Sequence, residues 1–160
     1  MNTAYLLIGG NLGKREENLS AAVRLIANNC GEISNTSSLF ETAAWGNTNQ
    51  PAFLNQALEI KTTLNACQLI RRLLKIEKEL GRIRNKKLDP RIIDIDILFF
   101  NVEIHELRFL RLPHPEIQNR KFALVPMVEI APDYIHPVLK KSIMQLLYEC
   151  PDELEVKNYP

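Results

Sequence analysis

The segment RIIDIDILFF, residues 91–100, constrains the fold more than any other part of the chain. Isoleucines alternate in it with Asp94 and Asp96, and successive side chains of a β-strand point to opposite faces. The pattern therefore predicts a strand with two carboxylates on one face and isoleucines on the other. We expect the carboxylate face to continue with Leu98 and Phe100, so that the acids lie where an apolar surface begins.

Two carboxylates in this position favour a metal site. The Cα atoms of Asp94 and Asp96 should lie about 6.6 Å apart in a strand, which lets both side chains converge on one ion. Paired carboxylates repel each other and resist desolvation unless cations compensate them. Magnesium commonly takes one or two carboxylates together with substrate phosphates. The alternative is an amphipathic strand whose polar face meets water.

A basic segment lies directly before the aspartates. Five cationic side chains occur within ten residues: Arg82, Arg84, Lys86, Lys87 and Arg91. Guanidinium groups bind phosphate oxygens in a forked geometry, and clustered arginines with paired acids are typical of magnesium–polyphosphate chemistry. The alternative is a solvated basic loop that balances the acidic strand.

The order of the remaining elements indicates the fold class. Alternating or β-branched segments predict strands, and apolar residues at helical spacing predict helices. The predicted strands cover residues 4–8, 32–42, 53–64 and 92–100, and the predicted helices cover residues 19–26, 65–81, 119–130 and 142–148. This order predicts an α+β protein with a ferredoxin-like βαββαβ core, C-terminal helical additions and a three-layer α/β/α sandwich. We expect one domain over residues 1–160.

Composition narrows the classes of partner. The chain has 20 Lys and Arg against 19 Asp and Glu, which excludes a polybasic nucleic-acid binder at the level of the whole chain. Three cysteines without a CxxC pair indicate reduced thiols. The apolar run at residues 4–8 is too short for a signal peptide or a membrane span. We therefore expect a cytoplasmic monomer that binds neither nucleic acid nor membrane.

A third motif, LPHPEIQNRKF, places His114 six residues before Arg120, with Phe122 just beyond. A histidine in a proline-rich loop and an arginine at a helix start can both bind phosphate. A lone histidine is more often structural, so this motif gains weight only beside the acidic and basic segments.

Several motifs together resemble one known family. They are IGGNLG near the N-terminus, ETAAWG and QPAFLN within residues 41–55, ELGRIR at 79–84, DPRIIDIDILFF at 89–100, and LPHPEIQNRKFALVPMVEIAP at 112–132. In this order they resemble the 6-hydroxymethyl-7,8-dihydropterin pyrophosphokinases of folate synthesis. The resemblance implies transfer of the β,γ-pyrophosphoryl group of ATP to the hydroxymethyl oxygen of 6-hydroxymethyl-7,8-dihydropterin, with release of AMP.

The resemblance also implies a role for each matching residue. Asp94 and Asp96 would bind two Mg²⁺ ions, and Arg82 and Arg91 would act in catalysis by stabilising the transferring group. The implied ATP-binding residues are Ile70, Glu77, Arg82, Arg84, Arg91, Ile97, Leu98, His114 and Arg120. The implied pterin-binding residues are Thr42, Ala43, Ala44, Trp45, Phe53, Asn55, Asp94 and Phe122. Two aromatic faces and an amide suit a flat polar heterocycle.

Two other functions stay open at this point. One is a different magnesium-dependent DxD phosphotransferase or phosphohydrolase, which AMP formation dependent on the pterin would distinguish. The other is a ferredoxin-like binding module that presents its sheet to RNA or a protein. Such a module would carry exposed aromatic residues and a basic sheet face, whereas the predicted sheet carries Asp94 and Asp96.

Overall fold

An antiparallel sheet organises the part of the chain that a computed structural model describes, residues 1–44, 49–81 and 92–160. The strands are β1 (Asn2–Gly10), β2 (Glu32–Thr36), β3 (Phe40–Thr42), β4 (Phe53–Thr62), β5 (Asp94–Phe100), β6 (His105–Leu107), β7 (Leu110–Leu112) and β8 (Val156–Asn158). The helices are α1 (Arg15–Asn29), α2 (Ala66–Glu79), α3 (Lys121–Ile130) and α4 (Ile143–Glu149). The main sheet has the order β5-β1-β4-β3-β8, with β2 also paired to β4, and β6 and β7 form a separate hairpin. The predicted α+β class is confirmed.

Helices cover both faces of the sheet. On β1, Leu6 and Ile8 pack in a cluster with α1 and α2, whereas Tyr5 and Leu7 pack in a second cluster with α3 and α4. Because alternate residues of one strand are buried on opposite faces, the strand is apolar along its length instead of alternating with polar residues. We call these the α1/α2 cluster and the α3/α4 cluster.

Helix α2 begins and ends where the sequence predicts a helix over residues 65–81. The Asn65 side chain accepts a hydrogen bond from the Gln68 backbone N–H at 2.8 Å, and the Gln68 side chain accepts one from the Asn65 N–H at 2.9 Å. This capping box satisfies N–H groups that the first turn leaves free. Gly81 follows the helix with φ +93°, a conformation that glycine adopts at little cost.

The predicted strand over residues 32–42 is two strands. Both pair with β4, but they are separated at Ser37, which bonds to Ala57 in place of the regular ladder. The Ser37 N–H donates to the Ala57 carbonyl at 2.9 Å, and the Ala57 N–H donates to Ser37 Oγ at 2.9 Å. A side chain therefore replaces one backbone acceptor, and the strand is interrupted there.

The prediction that Phe100 lies on the carboxylate face is wrong. Tyr5 of β1 pairs with Phe99 and Leu6 pairs with Ile97, so Leu98 is an extra residue at a β-bulge. The bulge shifts the alternation by one residue. As a result Leu98 and Phe99 both pack in the α3/α4 cluster, whereas Phe100 packs in the α1/α2 cluster.

The C-terminal third also departs from the prediction in part. The helix predicted over residues 119–130 is a short 3₁₀ turn, Ile117–Asn119, followed by α3, and the predicted helix at 142–148 is α4 with a Ser142 cap. The hairpin of β6 and β7 and the edge strand β8 were not predicted, because three-residue strands give almost no periodic signal. No helix in the described ranges is long and apolar enough to cross a membrane.

Candidate active site

Three neighbouring strands bring an amide and the two aspartates onto one face of the sheet. Gly9 of β1 pairs with Asn55 of β4 on one side and with Asp94 of β5 on the other. Two residues earlier on β1, Leu7 pairs with Asp96 and packs in the α3/α4 cluster. Side chains of directly paired residues point to the same face. Asn55, Asp94 and Asp96 therefore all lie on the α3 side of the sheet.

Gly9 lets the Asn55 amide lie directly over the middle strand. A Cβ atom at Gly9 would lie 2.1 Å from Asn55 Oδ1 and 3.0 Å from the Leu54 carbonyl oxygen. Any other residue would therefore push the amide away from β1. The close approach at Gly9 is thus to a side chain of the candidate site.

Two predicted aromatic residues lie on this same face. Phe53 is two residues before Asn55 on β4, so its side chain shares the face of the amide, and it is paired with Thr42 of β3. Phe122 in the first turn of α3 packs against the α3/α4 cluster. Both rings are half-buried, which leaves part of each available to a ligand.

Thr42 is the clearest mark of a ligand in the described site. Its side chain is 2% exposed, and its Oγ1 atom is fully buried without a hydrogen-bond partner in the described structure. A buried hydroxyl left unsatisfied costs about 1–3 kcal/mol. A polar ligand or a water molecule can complete this hydrogen bond. Of the neighbouring predicted residues, Ala44 is buried and Ala43 is exposed.

A buried glutamate holds the backbone between the aspartates. Glu77 of α2 is 2% exposed, and its Oε2 accepts a hydrogen bond from the Ile95 N–H at 2.6 Å. Because Ile95 separates Asp94 from Asp96, this bond fixes the strand from which both acids project. The structure thus gives Glu77 a positioning contact, and its predicted contact with ATP stays a prediction.

His114 and Arg120 follow the site on the α3 side. The His114 N–H donates to the Leu98 carbonyl at 3.0 Å, which ties the segment before α3 to β5. His114 Nδ1 accepts a bond from the Glu116 N–H at 3.1 Å. The Arg120 guanidinium lies 5.8 Å from the centre of the Phe122 ring and so extends over a predicted stacking surface.

The predicted adenine neighbours do not share one face. Ile97 packs in the α1/α2 cluster and Ile70 packs against that cluster from α2, whereas Leu98 packs in the α3/α4 cluster. A single ring cannot touch the side chains of Ile97 and Leu98 from one face of the sheet. An adenine ring could therefore meet both residues only at the edge of β5, where it would contact the strand backbone. Their role as adenine contacts stays a prediction.

Four predicted site residues lie outside the described residues: Trp45, Arg82, Arg84 and Arg91. The described residues contain no group of three or more His, Cys, Asp or Glu that could hold a metal ion. Two carboxylates at one strand edge nevertheless fit magnesium, whose remaining ligands are commonly water and substrate phosphates.

The sequence patterns did not identify Asn11 as part of the site. It is 3% exposed, and its Nδ2 donates to Gln50 Oε1 and to the Pro51 carbonyl, both at 3.0 Å. Arg15 adds an ion pair with Glu41 at 2.7 Å. The Asn11 contacts fasten the segment before β4 to the end of β1, and the ion pair joins α1 to β3. Only the unusual burial of a polar side chain shows this role, and a sequence alone does not give burial.

An amide and aromatic rings beside paired carboxylates, on one face of an antiparallel sheet, fit an enzyme that binds a flat polar ring next to a metal ion. The family profile described as 7,8-dihydro-6-hydroxymethylpterin-pyrophosphokinase (HPPK) matches residues 5–132. The chain belongs to this family. The predicted class of enzyme, a pyrophosphokinase of folate synthesis, is thereby confirmed.

Two curated relatives are similar to this chain over most of their length. The 2-amino-4-hydroxy-6-hydroxymethyldihydropteridine pyrophosphokinase of Aquifex aeolicus is 39% identical over 145 residues, 91% of this chain and 90% of the relative. The enzyme of the same name from Bacillus subtilis is 43% identical over 130 residues, 81% of this chain and 78% of the relative.

A solved structure shares the fold. The wild-type HPPK-DHPS of Plasmodium falciparum superimposes with a TM-score of 0.73 over 92% of this chain, at 19% sequence identity. This chain covers 44% of that one, so it spans less than half of the solved protein.

Proposed function

We propose that the chain transfers the β,γ-pyrophosphoryl group of ATP to the hydroxymethyl oxygen of 6-hydroxymethyl-7,8-dihydropterin. The bond from this oxygen to the β-phosphorus forms, the bond from the β-phosphorus to the oxygen shared with the α-phosphorus breaks, and AMP leaves. The acceptor hydroxyl loses its proton. The names of the curated relatives include this hydroxymethyldihydropteridine acceptor, which supports the assignment.

The observation that carries the proposal is the row Asn55–Gly9–Asp94. An amide offers both a donor and an acceptor, which match the polar edge of a pterin. Gly9 leaves room for that amide, and the adjacent strand supplies the carboxylate. A pterin bound at Asn55 would therefore also lie beside Asp94. Phe53 and Phe122 would stack on its faces, and Thr42 would gain a partner for its buried hydroxyl.

We propose that the two aspartates hold two magnesium ions and that ATP is the co-substrate. Bound magnesium offsets phosphate charge and lowers the pKa of a coordinated hydroxyl. Asp94 and Asp96 bring the negative charge that attracts these cations, and Glu77 keeps their strand in place. We further propose that Arg82 and Arg91 stabilise charge on the transferring group, while Arg84, His114 and Arg120 bind phosphates.

We also infer the finer class of the fold. The antiparallel order β5-β1-β4 with β2 and β3 beyond, and one helix in each of two β-α-β steps, support a ferredoxin-like core. The clusters on both faces support a three-layer sandwich. A cytoplasmic monomer fits an enzyme that uses ATP and whose proposed site residues all come from one chain.

The alternative of a sheet that presents an open face to RNA finds no support. In the described structure, α1 and α2 pack on one face of the main sheet and α3 and α4 pack on the other. The helices therefore cover both faces of the sheet that such a module would present to RNA.

Product analysis tests the function. The enzyme is incubated with ATP, Mg²⁺ and 6-hydroxymethyl-7,8-dihydropterin, nucleotides are separated, and the pterin product is examined by ³¹P NMR. We expect AMP in equal amount to a pterin that carries two phosphorus signals. ADP formation would show transfer of a single phosphoryl group, and nucleotide cleavage without the pterin would indicate a phosphohydrolase. Either result contradicts the proposal.

A further inference from the structure

A cavity is lined by residues of the β6–β7 hairpin and of the turn at residues 136–139. Its volume is about 210 Å³. The lining residues that matter here are Ile104, Arg111, Leu112, His136, Val138 and Leu139. His114 also borders it, so the cavity adjoins the predicted phosphate-binding residues, while Asn55, Asp94 and Phe122 are not among its lining residues.

The cavity contains a histidine whose hydrogen-bonding role is fixed. His136 is 4% exposed, and its Nδ1 accepts bonds from the Val138 N–H at 3.1 Å and the Leu139 N–H at 3.0 Å. A nitrogen that accepts two bonds carries no proton, so the proton of the neutral ring is on Nε2. Burial lowers the pKa of His136 and keeps the ring neutral. Within the described chain Nε2 has no acceptor, although it is a donor.

The second polar group is an arginine at the rim. Arg111 of β7 is exposed, and its cross-strand partner is Glu106 of β6. Although the two residues are paired in the hairpin, the described structure gives the Arg111 side chain neither an ion pair nor a hydrogen bond. Glu106 also lines the cavity and would repel a strongly charged anion. The lining therefore places one arginine and one carboxylate beside the His136 donor, and this pairing of opposite charges suits a singly charged ligand better than a phosphate.

Apolar side chains form much of the remaining wall, beside the polar residues His105, His114 and Gln118. Ile104, Val138 and Leu139 have exposed fractions of 57%, 53% and 40%, which is high for residues of this type. Small-molecule sites combine such walls with a few placed polar groups. The volume is below the range of about 300–1,000 Å³ that is usual for drug-sized ligands, so the ligand must be small.

We propose that this cavity is a second binding site, which takes a small carboxylate with an apolar body. The carboxylate accepts the Nε2–H of His136 and pairs with the Arg111 guanidinium. The apolar body lies against Ile104, Val138 and Leu139. This inference does not depend on the proposed pyrophosphoryl transfer.

Benzoate is the probe, with benzamide as the uncharged control of the same shape. Binding to the full chain is followed by the shift of the His136 Nε2 signal in ¹⁵N NMR and by calorimetry at pH 8. We expect benzoate to shift this signal in a saturable way. Benzamide should bind at least about tenfold more weakly, because it cannot form the charge-assisted bonds. A saturating non-hydrolysable ATP analogue with Mg²⁺ should not displace benzoate.

Two hairpin arginines provide a matched pair of variants. Arg111→Gln should weaken benzoate about tenfold, whereas Arg108→Gln, in the same hairpin but not part of the lining, should leave the affinity unchanged. Equal binding to the wild type and to Arg111→Gln overturns the proposal. So does competition by the ATP analogue, which would place benzoate in the nucleotide site, and so does the absence of a saturable His136 shift.

Discussion

At the scale of single residues, buried polar atoms distinguish a binding role from a structural one. Thr42 and Thr62 are both threonines of the main sheet and both are buried. Thr62 Oγ1 donates to the Cys30 carbonyl at 2.5 Å and accepts from the Leu64 N–H at 3.1 Å. Thr42 Oγ1 has no such partner in the described structure. The Thr62 hydroxyl stabilises the fold, and the Thr42 hydroxyl is available to a ligand.

This contrast gives a paired prediction. Thr42→Val removes an unsatisfied hydroxyl, so the free energy of unfolding should stay the same or rise, while the affinity for the pterin should fall. Thr62→Val should lower the free energy of unfolding by about 1–3 kcal/mol, because it leaves buried backbone groups without partners. Urea unfolding and calorimetric titration with the pterin measure both. Unchanged pterin affinity in Thr42→Val would show that Thr42 does not contact the ligand.

At the scale of elements, the register of β1 between β4 and β5 creates the site. The pattern of residues 91–100 predicted the aspartate face, and the periodicity of residues 65–81 predicted α2 with both of its ends. These predictions succeed because local alternation and capping are encoded in adjacent residues. The bulge at Leu98 was not predictable, since it depends on how β5 pairs with β1. The same holds for the division between β2 and β3 and for the contact of Glu77 with Ile95.

The register also predicts the effect of a single methyl group. Gly9→Ala would place Cβ 2.1 Å from Asn55 Oδ1, so the amide must move and pterin affinity should fall about tenfold or more. The matched control is Gly31→Ala, whose Cβ would lie 2.2 Å from the Lys61 backbone oxygen, away from the site. That variant should lose stability and keep the pterin affinity of its folded fraction. Calorimetry on both variants tests this, and normal affinity in Gly9→Ala would contradict the assigned position of Asn55.

The turn at residues 136–141 predicts a pH dependence of stability. Burial lowers the pKa of His136 below its ordinary value of about 6.5, so below that pH the unfolded chain binds more protons than the folded one. The free energy of unfolding should therefore fall as the pH drops from 7.5 to 5.5. In His136→Gln this part of the fall should be absent. Urea unfolding at both pH values decides, and identical slopes in the wild type and His136→Gln would refute it.

At the scale of the whole molecule, the two faces of the sheet have different tasks. The α1/α2 cluster is a large apolar core, and Glu77 reaches from it to fix β5. The α3/α4 cluster ends at the row Asn55–Gly9–Asp94, where the candidate site begins. Because β5 is at the edge of the main sheet, its aspartates are accessible from outside while their backbone is held from within. The sequence motifs identified these residues, but only the assembled sheet shows that the amide and the acids share a face.

The most direct test of the central claim is AMP release from ATP in the presence of Mg²⁺ and 6-hydroxymethyl-7,8-dihydropterin, measured for the wild type and three aspartate variants. We expect Asp94→Asn and Asp96→Asn to keep the fold and to lower turnover roughly a hundredfold or more, since each removes charge that the transition state needs. Asp133→Asn, at an exposed position on the α3/α4 side, should release AMP at the wild-type rate. Near-normal AMP release by Asp94→Asn or Asp96→Asn at saturating Mg²⁺ would contradict the assignment of these carboxylates to the reaction.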